Sequence, residues 1–320
     1  MKNILITGIN GSGASYLADY IKDKKKIKIY GTHRKNNILK EKNIINLKKK
    51  KNIFFIKCNL NSYSSVKKIL SKRKFAYIFH IASNADVKKS FYSPRKIIEG
   101  NNSCTLNILE ASRELSLKSK IIICSTSEVY GEVQKKFQPI NENAQISPLN
   151  PYAVSKTFQD LLSQVYFKAF KLNIIITRMF TYINPRRTNL VATAFAKQIV
   201  EIEKGKRKIV RHGNLNSVRA LLDIRDAMNA YWLAAVKGKP GEIYNIGSID
   251  RISIKDLLLS LCSKCKKKII LKKDDKLLRP TDIKLQIPSS KKFKKHTGWK
   301  QKFNKNEAIQ KLLDDCRKLY

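Results

Sequence analysis

The sequence predicts an α/β protein: a doubly wound, mostly parallel sheet with a smaller C-terminal α/β lobe. Three observations support this prediction. Short apolar runs alternate with longer amphipathic stretches through the first half of the chain, as strands alternate with helices around a parallel sheet. The run Ile121–Cys124 is continuously apolar, as a strand buried on both faces requires. A glycine-rich segment, Gly8–Ala14, lies between the first predicted strand and the first predicted helix.

The elements are predicted in order along the chain. Strands are expected at Ile4–Thr7, Ile27–Tyr30, Ile53–Lys57, Tyr77–His80, Ile121–Cys124, Ile174–Thr177 and Glu242–Asn245, with a short one near Ile209. Helices are expected at Ser15–Lys22, Ser62–Arg73, Ile97–Leu117, Val191–Lys204, Asp223–Val236, Ile254–Ser263 and Lys305–Leu319. One more helix should begin at Asn150-Pro151 and extend to about Lys171, because Asn is a favoured N-cap and Pro is tolerated at the first helical position.

Two domains are expected from this order. Residues 1–178 and about 215–245 should form a dinucleotide-binding Rossmann domain. Residues about 179–214 and 246–320 should form the smaller lobe, so that the chain crosses between the two more than once.

The composition limits the classes of function. The chain has 320 residues, 42% of them hydrophobic, and a net charge of +42. Its lysines are scattered without interleaved aromatic residues, so a specific nucleic-acid partner is not expected, although a basic surface attracts anionic substrates. No stretch resembles a signal peptide or a membrane span. Among six cysteines only Cys262 and Cys265 form a CxxC pair, which predicts a cytoplasmic protein without a metal site.

The glycine-rich segment has the features of a dinucleotide-binding turn. Gly8 permits the tight turn, Gly11 lets the backbone approach a pyrophosphate, and Ala14 is small enough for close packing of helix on strand. No acidic residue follows the second strand, where Arg34 lies instead. Arginine suits a 2′-phosphate, which favours NADP and leaves NAD as the alternative. The competing interpretation is that Arg34 is one of many basic surface residues.

Four residues form a candidate catalytic set. Tyr152 and Lys156 are four apart on a predicted helix, so both side chains lie on one face. A neighbouring ammonium is expected to lower the pKa of the phenol and make it a usable base. Thr126 and Glu128 follow the buried strand Ile121–Cys124 and point to the same side of an extended chain. At the carboxyl end of a parallel strand, that side faces the ligand crevice.

Taken together, these residues resemble the extended short-chain dehydrogenases/reductases that act on nucleotide sugars, and most closely the GDP-mannose 4,6-dehydratases. The resemblance covers nearly the whole chain. It includes the segments Thr7–Leu17, His80–Ser83, Ser90–Pro94, Ser125–Glu128, Pro151–Lys156, Asn184–Arg187, Gly213–Arg219, Gly241–Gly247, Leu278–Asp282 and Thr297–Lys300.

The resemblance implies an NADP-dependent lyase that forms GDP-4-keto-6-deoxymannose from GDP-mannose by internal hydride transfer and loss of water. Tyr152 would take the proton of the sugar 4-hydroxyl, with Lys156 beside it on the nicotinamide ribose. Thr126 would hydrogen-bond the 4-oxygen, and Glu128 would remove the C5 proton. Ser127 stands where dTDP-glucose dehydratases carry Asp, which favours the GDP-mannose enzymes.

The resemblance also implies binding roles for residues outside the catalytic set. Arg187, Arg219 and Arg279 would bind the nucleotide diphosphate and the sugar, because the arginine fork can bind phosphate bidentately. Ser83 would contact the substrate, and Asn59 the adenine.

The chain departs from the family at several positions. Thr181 and Ala220 stand where the family often has Asn and Asp, and His33–Asn36 replaces a loop that supports tetramers in some relatives. The resemblance implies a homodimer through the helix that contains Tyr152–Lys171, with a tetramer as the alternative.

Other functions remain open from the sequence. A GDP-4-keto-6-deoxy-sugar reductase that uses NADP(H), or a nucleotide-sugar epimerase, would need Tyr152 and Lys156 but no base for C5, so Glu128 favours the dehydratase. A GDP-heptose is an alternative substrate. A non-catalytic dinucleotide-binding or nucleic-acid-binding protein is disfavoured by the complete catalytic set.

Overall fold

The computed structural model describes all 320 residues, and a parallel sheet of seven strands lies at its centre. In chain order the strands are β1 Lys2–Ile6, β2 Ile27–His33, β3 Ile53–Lys57, β4 Tyr77–His80, β5 Lys120–Thr126, β6 Ile174–Met179, β7 Ile209–His212, β8 Val218–Ala220, β9 Ile243–Ile246, β10 Arg251–Ser253, β11 Ile270–Lys273 and β12 Leu285–Gln286. The central sheet has the order β3-β2-β1-β4-β5-β6-β9. The order reverses between β1 and β4, and ligands bind such sheets at the carboxyl ends of the strands beside this reversal. The predicted doubly wound parallel sheet is confirmed.

Helices cover both faces of the central sheet. In chain order they are α1 Ser12–Ile21, α2 Tyr63–Ser71, α3 Val87–Tyr92, α4 Pro94–Glu114, α5 Pro151–Phe170, α6 Val191–Glu203, α7 Ile224–Lys237, α8 Ile254–Cys262, α9 Lys291–Thr297 and α10 Lys305–Leu319. Leu5 of β1 packs in the core beneath α2, α4 and α5, whereas its neighbours Ile4 and Ile6 pack in the core beneath α1 and α7. Both faces of β1 are therefore buried, and β5 and β6 are buried on both faces in the same way, which explains their continuous apolar runs. None of the helices is long and apolar enough to cross a membrane.

Helix α5 begins where the sequence predicts, and this start positions the candidate catalytic residues. The Asn150 side-chain oxygen accepts a hydrogen bond from the Ala153 backbone N–H at 2.8 Å, and Pro151 occupies the first helical position. Tyr152 and Lys156 then follow on the first turns of the helix, both buried and both on the side that faces β5.

The C-terminal lobe has a core of its own. Helices α6, α8 and α10 pack together around Phe195, Leu257 and Leu312. Two small sheets complete the lobe, one with the order β10-β8-β12 and the other pairing β11 with β7. Three-residue strands such as β8 show little periodicity in the sequence, which explains why β8, β10 and β12 were not predicted.

The chain passes from the C-terminal lobe back to the central sheet a few residues after the boundary that was expected near residue 215. Strand β8 belongs to the small sheet, because it hydrogen-bonds to β10 and β12. The crossing comes immediately after β8: Leu221 packs in the core of the C-terminal lobe, and Leu222 packs in the core of the central sheet. Phe293 and Trp299, near the end of the chain, also pack in the core of the central sheet.

Candidate active site

A cavity of about 780 Å³ lies at the carboxyl edge of the central sheet. Loops that follow β1, β2, β3, β4, β5 and β6 line it, together with the start of α5. The predicted site residues that line this cavity are Gly8, Gly11, Ala14, Arg34, Asn59, Ser83, Thr126, Glu128, Tyr152, Lys156 and Arg187. Arg219 and Arg279 are not among the residues that line it.

The glycine loop forms an open anion cradle at one end of the cavity. Gly8 has a φ of +67°, and a Cβ there would lie 3.1 Å from the Cβ of Ala82, so glycine is required on both counts. Gly11 is the N-cap residue of α1 and offers no side chain to cap it. The backbone N–H groups of Ser12 to Ala14 have no acceptor in the protein. Unpaired N–H groups at a helix N-terminus suit a pyrophosphate, so these residues fit a dinucleotide.

A buried histidine, not predicted as a site residue, supports this cradle. Oγ1 of Thr7 accepts hydrogen bonds from the backbone N–H groups of Ile81 and Ala82, each at 3.0 Å, and lies 3.2 Å from His80 Nδ1. His80 Nε2 lies 2.9 Å from Oγ1 of Thr105 on α4. Burial lowers the pKa of His80 to about 3, so the ring is neutral and serves to join β1, β4 and α4.

The far end of the cavity holds the residues that would surround an adenosine. Arg34 is exposed and forms no ion pair, so its guanidinium is free to bind an anion. Lys35, the next residue, is 3.4 Å from a carboxylate oxygen of Glu41. Asn59 is exposed, and its side-chain oxygen accepts a hydrogen bond from the Asn61 backbone at 3.2 Å.

The four candidate catalytic residues lie together at the middle of the cavity. Strand β5 ends at Thr126, and a 3-10 turn over Ser127–Tyr130 follows it. Oγ1 of Thr126 accepts a hydrogen bond from the Glu128 backbone N–H at 3.3 Å. Oε2 of Glu128 accepts one from the side-chain amide of Asn150 at 3.0 Å. Asn150 therefore caps α5 with one end of its amide and holds the carboxylate with the other.

Burial dominates the electrostatics of the tyrosine–lysine pair. The prediction that the ammonium lowers the pKa of the phenol is wrong for this arrangement: burial raises the pKa of Tyr152 to about 12, and Arg187 is the main charge that opposes this rise. Burial also lowers the pKa of Lys156 to about 8. Lys156 Nζ is held by the Cys124 carbonyl at 2.6 Å and by Oε1 of Gln159 at 2.9 Å.

Arg186 and Arg187 are adjacent but act on different parts of the molecule. Arg187 lines the cavity, donates to the Ala85 carbonyl and donates to Oδ1 of Asn189 at 3.0 Å. Arg186 turns away, donates to Oγ of Ser15 at 2.9 Å and pairs with Asp19 at 2.6 Å, both on α1. The pair thus ties the loop after β6 to the helix behind the glycine cradle, a role that the motif alone does not indicate.

Arg219 and Arg279 lie in the C-terminal lobe, beyond the cavity wall. Arg279 is exposed, and the guanidinium of Arg219 is 3.4 Å from a carboxylate oxygen of Asp282. Asp282 therefore supplies a carboxylate for Arg219, although Ala220 replaces the Asp that the family often has next to this arginine. Burial lowers the pKa of Arg219, and the carboxylates of Asp282 and Glu128 oppose this shift, so this arginine lies within electrostatic reach of the turn that follows β5.

A reciprocal pair of hydrogen bonds joins the turn over Ser127–Tyr130 to the C-terminal lobe. Oγ of Ser127 donates to Oε1 of Gln286 at 2.9 Å, and Nε2 of Gln286 donates to the Ser127 carbonyl at 3.0 Å. Gln286 lies on β12, directly opposite Arg219 on β8. These two hydrogen bonds therefore fix the position of the C-terminal lobe, which carries Arg219, relative to Ser127, the residue between Thr126 and Glu128.

Comparison with known proteins agrees with this architecture. A family profile described as GDP-mannose 4,6 dehydratase matches residues 5–312. A dTDP-D-glucose 4,6-dehydratase of Dictyostelium discoideum is 31% identical over 267 residues, which are 80% of this chain and 61% of that longer relative. A GDP-mannose 4,6 dehydratase of the same organism is 27% identical over 98% of this chain and 95% of its own length. The solved structure of RMD from Pseudomonas aeruginosa, complexed with NADPH, shares the fold with a TM-score of 0.86 at 21% identity, over the full length of both chains.

Proposed function

The chain belongs to the GDP-mannose 4,6-dehydratase family, and from this premise we propose that it converts GDP-mannose to GDP-4-keto-6-deoxymannose with NADP as its cofactor. The observation that supports this proposal best is the presence of Glu128 in the same cavity as Thr126, Tyr152 and Lys156. A carbonyl reductase needs a proton donor and a cofactor, whereas loss of water from C5 and C6 also needs a base for the C5 proton.

Each of the four residues has a distinct task in the proposed reaction. Tyr152 takes the proton of the sugar 4-hydroxyl, and Thr126 hydrogen-bonds the same oxygen. Because burial raises the pKa of Tyr152 to about 12, the phenol is protonated and can take this proton only as it passes its own to a neighbouring acceptor. The amine of Lys156, whose pKa burial lowers to about 8, is the group beside it that can accept that proton. When bound, NADP would supply the oxidant for C4 and the source of the hydride for C6. The 4-keto group acidifies C5, and Glu128 removes the C5 proton and passes it to the C6 hydroxyl, which leaves as water. Addition of hydride at C6 is accompanied by addition at C5 of a proton equivalent to the one that was taken from the 4-hydroxyl.

Glu128 is the carboxylate best suited to this step. Two acidic residues line the cavity, Asp86 and Glu128. Oδ1 of Asp86 caps α3 by accepting from the Lys89 backbone N–H at 3.0 Å, so that carboxylate has a structural task. Glu128 has one partner, Asn150, on one of its oxygens. Its other oxygen is available to a proton of the substrate.

The test of the proposed function is incubation with GDP-mannose and a catalytic amount of NADP, followed by mass spectrometry. Loss of one water from the sugar nucleotide without net formation of NADPH is expected. If GDP-mannose is unchanged, but the 4-keto-6-deoxy nucleotide sugar is consumed together with stoichiometric NADPH, the chain is a reductase and the dehydratase proposal is wrong. The same assay with a GDP-heptose decides between the two sugars.

Cofactor preference provides a prediction for Arg34. The unpaired guanidinium of Arg34 would hold the 2′-phosphate, and a hydrogen bond between charged groups contributes about 1.5–3 kcal/mol. Arg34→Ala should therefore weaken NADPH binding by about 10-fold or more and leave NADH binding unchanged, as measured by fluorescence titration of the reduced cofactors. Arg95→Ala, which removes an exposed arginine of α4, is the control. Equal losses for NADPH and NADH would show that Arg34 does not read the 2′-phosphate.

Oligomeric state provides a second prediction. Along the outer side of α5, Val154, Phe158, Leu161 and Val165 are 43%, 38%, 48% and 52% exposed, and their spacing forms one apolar stripe. We propose that a second copy of the chain covers this stripe in a homodimer. Leu161→Glu should convert the dimer to a monomer, as measured by light scattering during gel filtration, because a charge at a covered apolar position is strongly unfavourable. Leu259→Glu on α8, which is 45% exposed, is the matched control. A wild-type protein that elutes as a monomer would contradict the proposal.

A further inference from the structure

One glutamine beneath the catalytic lysine has no role in the reaction described above. Gln159 is fully buried on α5, three residues after Lys156. Its side chain joins the lysine to α4: Oε1 accepts from Lys156 Nζ at 2.9 Å, and Nε2 donates to the Asn101 carbonyl at 2.8 Å. We propose that Gln159 is a positioning residue, which holds the Lys156 ammonium so that one of its protons faces the cavity. This inference rests on the proposed function for the role of Lys156.

The chemistry of its partners allows only one orientation of the Gln159 amide. An ammonium has only donors, so the amide oxygen must face Lys156. A backbone carbonyl has only an acceptor, so the amide nitrogen must face Asn101. Rotating the amide by half a turn would leave both contacts repulsive inside the core, where an unsatisfied polar group costs about 1–3 kcal/mol. The bridge therefore has a single low-energy arrangement.

This arrangement leaves one N–H of the Lys156 ammonium without an acceptor in the protein. The ammonium has three N–H donors. The Cys124 carbonyl and Oε1 of Gln159 take two of them, at 2.6 and 2.9 Å. No third acceptor lies within hydrogen-bond distance in the protein, and Lys156 lines the cavity beside Tyr152. The remaining proton is thus available to a ribose hydroxyl of the dinucleotide or to the phenol oxygen.

The bridge continues into the cavity wall. The side chain of Asn101 accepts from the Asn84 backbone N–H at 2.7 Å and donates to the Asn84 carbonyl at 3.1 Å and to Oγ of Ser155 at 2.9 Å. Oγ of Ser155 in turn donates to the Tyr152 carbonyl at 2.7 Å. Gln159 therefore lies at the centre of a satisfied polar network that connects the lysine, the start of α5 and the loop after β4.

The charge on Lys156 depends on what surrounds it. The titratable groups that face it are Tyr152 and Asp160 on its own helix, Cys124 on β5, His80 on β4, Cys104 on α4 and Arg187 on the loop after β6. Among these, Asp160 favours the charged form of Lys156, whereas Arg187 disfavours it. The amide oxygen of Gln159 is an uncharged acceptor that stabilises the ammonium directly, so its removal should make the lysine easier to deprotonate.

The test is NADPH binding as a function of pH, measured by fluorescence titration without any sugar nucleotide. Wild-type affinity should fall as the pH rises through the pKa of Lys156, which is about 8. In Gln159→Leu this fall should occur about one pH unit lower, since the ammonium loses an acceptor. In Gln159→Glu it should occur at a higher pH than in the wild type, because a carboxylate favours the ammonium. At pH 8 the leucine variant should bind NADPH about 5-fold more weakly.

A glutamine in the C-terminal lobe provides the control for this titration. Gln198→Leu removes another glutamine that makes two hydrogen bonds, both to Arg211 in the C-terminal lobe, and should leave the pH midpoint unchanged. A midpoint that stays at the wild-type value in both Gln159 variants overturns the proposal. So does a loss of affinity that is equal at every pH, which indicates a merely structural residue. Because the assay contains no sugar, its outcome is independent of whether GDP-mannose is the substrate.

Discussion

Glu128→Gln is expected to slow the loss of water from the sugar by about 1000-fold, a typical contribution of a general base, and to leave NADPH binding unchanged. The substitution keeps the shape of the side chain. The new amide oxygen can still accept from the Asn150 amide, which holds Glu128 at 3.0 Å, so the start of α5 and the position of Tyr152 should be preserved. What the variant lacks is a group able to take the C5 proton.

The variant should also separate the two halves of the reaction. In the proposed reaction, oxidation at C4 uses Tyr152 and Thr126. The hydrogen bond between Oγ1 of Thr126 and the Glu128 backbone N–H does not involve the Glu128 side chain, so the substitution leaves it in place. Glu128→Gln should therefore still oxidise bound GDP-mannose and accumulate reduced cofactor, up to one equivalent per site. The absorbance of reduced nicotinamide in a stopped-flow experiment measures this directly.

A matched control lies four residues further along the chain. Glu132 is exposed, and its carboxylate accepts from the Lys284 backbone N–H at 2.8 Å, so Glu132→Gln makes the same chemical change outside the cavity. Its dehydration rate should equal that of the wild type. Wild-type turnover by Glu128→Gln would remove Glu128 from the mechanism and return the reductase and epimerase as the leading alternatives.

The parts of this site that could be predicted from sequence are those set by local chemistry. Asn150 and Pro151 determine where α5 begins, and the spacing of Tyr152 and Lys156 then places both on one face. Thr126 comes near them because β5 ends at the carboxyl edge of the sheet, where all loops of a parallel sheet that carry ligands meet.

The parts that could not be predicted depend on packing between distant segments. The pKa of Tyr152 is raised because segments from several parts of the chain bury its side chain. The spacing of residues along one helix does not indicate such burial. Asp282 pairs with Arg219, from which it is separated by 63 positions in the sequence. Gln286 hydrogen-bonds Ser127, from which it is separated by 159 positions. These partners lie beside strands of two or three residues, which are too short to show a period. Gln159 was missed because a single glutamine on a buried helix has no motif.

A buried ion pair lies beneath the turn over Ser127–Tyr130, and its disruption should lower the free energy of unfolding strongly. Arg178 on β6 and Asp160 on α5 form two parallel hydrogen bonds, Nε to Oδ2 at 2.8 Å and Nη2 to Oδ1 at 3.0 Å, and both side chains are at most 2% exposed. Nη1 of Arg178 also donates to the hydroxyl of Tyr130 at 2.9 Å, and Oγ of Ser125 donates to Asp160 at 2.9 Å. The pair thus contacts residues on both sides of Thr126 and Glu128.

Arg178→Met is expected to destabilise the fold by about 3–5 kcal/mol, because it leaves the Asp160 carboxylate buried without a counter-charge. Urea denaturation followed by circular dichroism measures this change. Arg95→Met removes an arginine of an exposed pair with Glu99, 88% and 61% exposed, and should change stability by at most about 1 kcal/mol. The double variant Arg178→Met/Asp160→Leu should recover part of the loss, since it removes both charges together.

The activity of the double variant distinguishes two roles of the buried ion pair. If the pair only stabilises the core, the double variant should regain activity in proportion to its stability. If it also holds the turn over Ser127–Tyr130 in place, the double variant should remain slow at temperatures where it is fully folded, because Ser125 would lose its acceptor on Asp160 and Tyr130 its donor on Arg178. We expect the second result, since the hydroxyl of Tyr130 would keep only its bond to Asn245 Oδ1, at 2.7 Å on β9, and Ser125 would keep no side-chain hydrogen bond. A stable double variant with the wild-type kcat would show that the turn keeps its position without the ion pair.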